Sequence, residues 1–229
     1  MDLRAALLDA LALLSPVECA GCGGDDRSLC GDCRHALAPD VTVRLAGGLR
    51  VYSALEYGGR VRRVILAFKE QGRTDVAAAL AAPLAAAIRA ALAAAGPRTE
   101  LALVPTSRAA WRRRGYDPVL TLVRRAGGAP SRLLRPARAS ATQKHLDLAA
   151  RAANRSNAFI ATRSLTGRRF VIVDDIVTSG ATLAEAARAI SAAGGEVAGG
   201  ATLAFTKRLL AFRDFVPGQG YGGEKGASD

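Results

Sequence analysis

An uncharged, β-branched run, Phe170-Val171-Ile172-Val173, leads without a break into two carboxylates, Asp174 and Asp175. Ile176, Val177, Thr178, Ser179, Gly180, Ala181 and Thr182 follow, and then Leu183, Ala186, Ala187 and Ile190 recur at helical spacing. The first four residues read as a buried strand with the carboxylates at its end. A strand, a turn of small residues and a helix aim the unpaired N–H groups of the helix N-terminus at an anion. Hydroxyls at Thr178, Ser179 and Thr182 can add donors, and Gly180 lets a ligand approach the backbone closely. Two carboxylates beside an anion cradle conflict unless the ligand carries hydroxyls or a metal as well as a phosphate. A phosphorylated sugar meets both demands. The plainer reading makes the same residues ordinary caps of a strand-to-helix turn.

The run lacks the Gly-Lys-Ser/Thr of a Walker P-loop and the G-x-G-x-x-G of a dinucleotide fold. Val171 to Thr182 resembles the phosphoribosyl-pyrophosphate (PRPP) motif of type I phosphoribosyltransferases. That resemblance implies a PRPP site over residues 174–182, from Asp174 through Ile176, Val177 and Ala181 to Thr182. Asp174 and Asp175 would form the catalytic pair on the ribose hydroxyls, and Thr178 to Thr182 would hold the 5′-phosphate. Mg²⁺ would bridge ribose and diphosphate oxygens.

All four cysteines fall in one short window, Cys19-x2-Cys22 and Cys30-x2-Cys33. Paired Cys-x2-Cys turns can point four thiolates at one tetrahedral Zn²⁺. Disulfides are the competing account, and a reducing cytoplasm argues against them. Such a closed ligand set would serve structure rather than chemistry. The first fifteen residues are apolar at helical spacing but hold Asp2, Arg4 and Asp9. They predict an amphipathic helix packed on the domain, too short and too charged for a membrane span and unlike a secretory signal. A cytoplasmic location is therefore expected.

The chain between these features predicts an α/β alternation. Leu49 to Tyr57 reads as a strand, and Val61 to Glu70 as a helix. A long alanine-rich helix follows, capped by Thr74 or Asp75 and ending near Ala95, with a kink or second start at Pro83. Leu101 to Val104 reads as a first central strand and Glu196 to Phe205 as the last strand. Residues 127–141 read as irregular, residues 149–156 as helical, and the glycine-rich residues 216–229 as a disordered tail. His145, a lone loop histidine without a carboxylate partner in sequence, reads as exposed filler.

After Val104 come Pro105, Thr106, Ser107 and Arg108, and then Trp111-Arg112-Arg113-Arg114-Gly115-Tyr116-Asp117. By position the first four resemble the pyrophosphate loop of the phosphoribosyltransferase fold. The whole arrangement, with the cysteine finger, resembles the ComF family of competence-associated proteins. The family commonly reads Arg-Gly-Phe-Asn-Gln where this chain has Arg114-Gly115-Tyr116-Asp117-Pro118, a departure that puts a proline in a helix first turn. For Arg112 and Arg113 a solvated helix face is an equal alternative.

The ComF resemblance implies a mostly parallel sheet flanked by helices, of phosphoribosyltransferase type, over residues 41–213. Residues 1–40 would form the helix and four-cysteine zinc finger, and residues 214–229 the tail. It further implies PRPP as substrate, a mobile flap carrying Gln143 and Lys144, and a role in natural transformation with single-stranded DNA and DNA-uptake proteins as partners. The net charge of +12, carried almost wholly by arginine, fits polyanionic partners of any kind. The rival reading is a non-catalytic protein that binds single-stranded nucleic acid through the same cradle.

Overall fold

The computed structural model describes residues 17–25, 27–137 and 157–207. The expected N-terminal helix, the flap residues Gln143 and Lys144, His145, the helix over 149–156 and the tail lie outside these residues. Strand β1 (Thr42–Ala46) pairs antiparallel with β2 (Leu49–Glu56). Their connection is Gly47-Gly48, both at positive φ, the two-residue turn whose twist suits a hairpin. Strands β3 (Thr99–Leu103), β6 (Arg169–Val177) and β7 (Glu196–Phe205) complete a five-stranded sheet in the order β1-β2-β7-β6-β3. All pairings except β1–β2 are parallel. A separate ribbon joins β4 (Leu134–Pro136) to β5 (Phe159–Ala161).

Helices cover both faces, as the alternation of apolar residues in β6 requires. Val171 and Val173 face one core with α2 (Gly59–Glu70), α3 (Ala77–Ala95) and α5 (Pro118–Arg125). Phe170 and Ile172 face the other, with α6 (Ala181–Ala192) and the β4–β5 ribbon. Ser53 and Thr202 sit fully buried between β2 and β7 and satisfy each other through a 2.7 Å hydroxyl pair.

Several expectations need correction. Leu101 to Val104 is not a central strand: β3 is the last strand of the sheet, paired along its length with β6, and on its outer side Ser131 bridges it, its N–H donating to the Leu101 carbonyl. Strand β6 does not end at Val173, because β7 continues to pair with it as far as Val177 and Phe205. Asp174, Asp175, Ile176 and Val177 are therefore strand residues, and the loop starts at Thr178. Neither Thr74 nor Asp75 caps α3; both lie in a 3-10 turn, where Asp75 is held by Arg73. Pro83 lies inside α3, which runs on to Ala95. The stretch read as irregular contains β4.

The cysteine segment, with its short helix α1 (Gly31–His35), packs into the first core. Cys19, Leu29, Cys33 and Leu37 are buried in the same cluster as Val61 and Val64 of α2. Arg63 of α2 donates to the Gly21 carbonyl, and Arg73 donates to the carbonyls of Glu18 and Ser28. Thr74–Ala95 is long and apolar enough to cross a bilayer by length and composition, but over half of its apolar stretch is buried. Its contacts with β2, β7 and α5 make it the core helix of the domain.

Candidate functional site

Leu103 pairs with Val173, and the Val104 N–H donates to the Val173 carbonyl at 3.1 Å. Strand β3 thus ends opposite Val173 while β6 runs on to Val177, and the loops after both leave the same, carboxyl end of the parallel sheet. This is where open α/β sheets place ligands. Asp174 and Asp175 stand on the extension of β6 between the two loops.

The loop Thr178-Ser179-Gly180 opens α6. Thr178, Ser179 and Thr182 are exposed, and Ala181 lies partly buried behind them. Gly180 adopts φ +76° as the N-cap and offers no side-chain cap, so the N–H groups of the first turn point out of the helix with little competition. The Ser179 hydroxyl makes a long contact, 3.4 Å, with the Ala181 N–H. Gly180 is glycine for a second reason. A Cβ here would collide with the Gly47 N–H and lie 2.6 Å from the Ala46 carbonyl carbon. The β1–β2 turn therefore buttresses the loop from behind.

The carboxylates do not cap α6, which removes the plainer reading of that pair. Asp174 Oδ1 accepts from the Asp175 N–H at 2.8 Å. Burial, then the neighbouring Asp175 charge, push the Asp174 carboxyl up to about 8. Asp175 Oδ2 meets Lys69 Nζ at 2.6 Å, with both side chains mostly buried. Lys69 escaped the sequence reading because it lies over a hundred residues from the motif, in the last turn of an amphipathic helix.

The neighbouring residues of α2 hold the other loop. The Phe68 carbonyl accepts from the Tyr116 hydroxyl, and Glu70 takes Arg113 at 3.0 Å and Arg114 at 2.6 Å. Burial opposes the Glu70 charge, but Arg114 and Arg113 outweigh it and keep its carboxyl below the ordinary range. So Arg114-Gly115-Tyr116 clamps α4 (Arg108–Arg114) and the preceding Pro105-Thr106-Ser107 segment to α2. Ser107 caps α4 through the Ala110 N–H. Asp117 caps α5 through the Leu120 N–H, with Pro118 in the first turn as its fixed φ favours. The arginine run is divided: Arg113 and Arg114 face Glu70, whereas Arg108 and Arg112 line a 410 Å³ cavity against β4.

The four cysteine sulfurs lie within 4.8 Å of one another, and Cys22 and Cys30 are 3.7 Å apart. Tetrahedral Zn–S bonds of about 2.3 Å place sulfurs about 3.8 Å apart. Burial pushes the Cys19 thiol up, but the N–H groups of Cys30, Gly21 and Cys22 outweigh it and bring Cys19 to about 6. Burial and the other thiols drive Cys33 strongly upward. A thiolate among thiols that cannot ionise together is a donor set that a soft divalent cation would neutralise, so the residues fit zinc.

A family model described as phosphoribosyl transferase domain matches residues 136–216, which include β5, the β6 motif, α6 and β7. DNA utilization protein YhgH of Salmonella typhi is 31% identical over 181 residues, covering 74% of this chain and 76% of that protein. The chain belongs to the ComF family. DNA utilization protein YhgH of Salmonella typhimurium (strain LT2) is 33% identical over 147 residues, covering 61% of this chain and 64% of the relative. Membership agrees with the α/β fold, the mostly parallel sheet and the grouped cysteines described above.

Proposed function

We propose that the carboxyl end of β3 and β6 binds PRPP and supports displacement of its pyrophosphate by a nucleophile at the ribose C1 carbon. The observation that carries this reading is the register of Leu103 with Val173, which sets Asp174 and Asp175 between two loops. In it, the amides and hydroxyls of Thr178 to Thr182 take the 5′-phosphate, while Asp174 and Asp175 accept from the ribose hydroxyls. Pro105 to Arg108 takes the diphosphate, and Gln143 and Lys144 belong to the flap that excludes water. Positive charge developing on the ribose is stabilised by the Asp175 carboxylate and by placement, without a covalent nucleophile, while the raised Asp174 carboxyl stays available to hydrogen-bond a ribose hydroxyl. Hard carboxylate oxygens beside a basic loop suit Mg²⁺, which when bound would neutralise charge on the diphosphate. Zinc in the Cys19, Cys22, Cys30 and Cys33 set holds the finger on α2. The thiols and the absence of any disulfide among the described cysteines suit a cytoplasmic setting.

The biological setting we propose is handling of DNA during uptake, which rests on the relatives named for DNA utilization. The second reading, non-catalytic binding of single-stranded nucleic acid through the cradle, draws on the net charge of +12. Calorimetry separates them. PRPP with Mg²⁺ should bind, and Asp175→Asn should weaken it by about 1–3 kcal/mol, the scale of charge-assisted hydrogen bonds. The same change should spare inorganic phosphate, whereas Thr182→Ala should weaken both ligands slightly. PRPP affinity untouched by Asp175→Asn would end the sugar-phosphate reading.

A further inference from the structure

The cavity that Pro105, Thr106 and Arg108 of the pyrophosphate loop line on one side carries, on its other walls, an exposed indole and further arginines that a diphosphate does not explain. Its floor is Leu103, Val104 and Leu134, and its rim carries Arg108 and Arg112 of α4 and Arg132 and Arg135 around β4. All four arginines are exposed, and none makes an ion pair with a described residue, in contrast to Arg113 and Arg114. Among the described residues Asp117 is the one carboxylate on the cavity wall, and its Oδ1 is engaged in capping α5. Trp111, the single tryptophan of the chain, lines the same cavity and is 54% exposed. Arg108, Trp111 and Arg112 stand at i, i+3 and i+4 of α4 and so share one helix face.

We propose that this cavity is a stacking subsite for single-stranded nucleic acid, with one base on the Trp111 indole and flanking phosphates on Arg112, Arg132 and Arg135. Unpaired guanidiniums alone would accept any polyanion. An exposed indole set among them favours a ligand that alternates flat aromatic units with phosphates, as a nucleotide strand does. The volume of 410 Å³ suits roughly one nucleotide, at the small end of ligand cavities. The subsite shares Pro105, Thr106 and Arg108 with the pyrophosphate loop, but Trp111, Arg112, Arg132 and Arg135 stand outside the cradle at Thr178–Thr182, and the stacking contact does not depend on PRPP being the ligand there.

Because Trp111 is the only tryptophan, its emission reports on the subsite directly. The full chain is titrated with an oligothymidylate of about ten residues, within the usual span of single-strand sites. Thymidine monophosphate, an abasic oligomer of equal charge and a duplex serve as comparisons, and fluorescence anisotropy follows binding independently. The oligothymidylate should quench Trp111, and Trp111→Ala should weaken its binding about 5- to 150-fold, the range for losing one stacked base. Arg112→Gln and Arg135→Gln should each lower the salt slope by about one counterion. Trp111→Phe should retain most of the affinity, which excludes misfolding as the cause of the alanine effect. Binding seen by anisotropy with unchanged Trp111 emission would overturn the proposal. So would equal affinity for the abasic oligomer or the duplex, or a monophosphate that binds as tightly as the strand. PRPP calorimetry on the same Trp111→Ala protein keeps the two readings apart, because a failed cradle and a failed subsite show in different titrations.

Discussion

Lys69 Nζ lies 2.6 Å from Asp175 Oδ2, and both side chains are less than one-fifth exposed. This pair joins the last turn of α2 to the end of β6 that carries the candidate site. One residue on either side, Phe68 and Glu70 hold the Arg114-Gly115-Tyr116 clamp. A single turn of helix therefore positions both loops of the candidate site.

Lys69→Met should destabilise the fold by about 1–3 kcal/mol, below the 3–5 of a fully buried pair because water still reaches it. The Asp175 carboxylate loses its partner, and Asp174 loses the nearby cation that holds its carboxyl down. Adding Asp175→Asn should recover part of the loss, so chemical denaturation of both single variants and the double variant should give a non-additive cycle. Additive losses would mean that the contact contributes nothing.

Asp174 sets a pH dependence of stability. Its folded-state value is raised from 3.8 to about 8, so the folded chain binds the proton more tightly than the unfolded chain does. The stabilisation is complete below about 4 and is lost as pH rises through about 8. The groups facing it are Asp175 and Asp117, which raise it, and Lys69, which lowers it. Asp174→Asn should flatten the melting temperature over that window and be the more stable protein at its alkaline end. Parallel profiles for the two proteins would show that Asp174 does not titrate there.

Gly180→Ala should cost more than the roughly 1–2 kcal/mol of placing a side chain in the left-handed region. The added Cβ also meets the backbone of Ala46 and Gly47, which cannot move without disturbing the β1–β2 turn. Thermal melting should drop and phosphate binding should fall with it. A stable variant that has lost only phosphate affinity would place the role of Gly180 in the ligand contact alone.

Protein purified without chelator should carry one zinc per chain by elemental analysis. Since Cys33 and Cys19 lie in the main core, Cys30→Ser or chelation should lower the melting temperature of the whole domain rather than release a free finger. A metal content near zero with intact thiols would refute the zinc assignment.

Local pattern carried the sequence reading a long way. The β-branched run of β6, the small residues before α6 and the Cys-x2-Cys spacing each state their geometry within a few residues. From them come the fold class, the proposed anion cradle and the cysteine cluster. Strand β1 is not legible because its alternation is inverted: the apolar Val43 and Leu45 are 53% and 61% exposed, while Arg44 turns inward over the Phe205 ring. The end of β6 was misplaced because the two carboxylates looked like a strand terminus, although pairing with β7 continues past them.

The sequence by itself determined which residues carry the chemistry proposed for an anion, a sugar hydroxyl and a metal, since that chemistry belongs to side-chain type and short spacing. Only the tertiary structure decided what surrounds them. It placed Lys69 on Asp175, divided the arginine run between Glu70 and an open cavity, set Gly47 behind Gly180, and built the finger into the core. Each of these contacts joins segments distant along the chain, and which of them meet is fixed by sheet order and helix packing rather than by any local pattern.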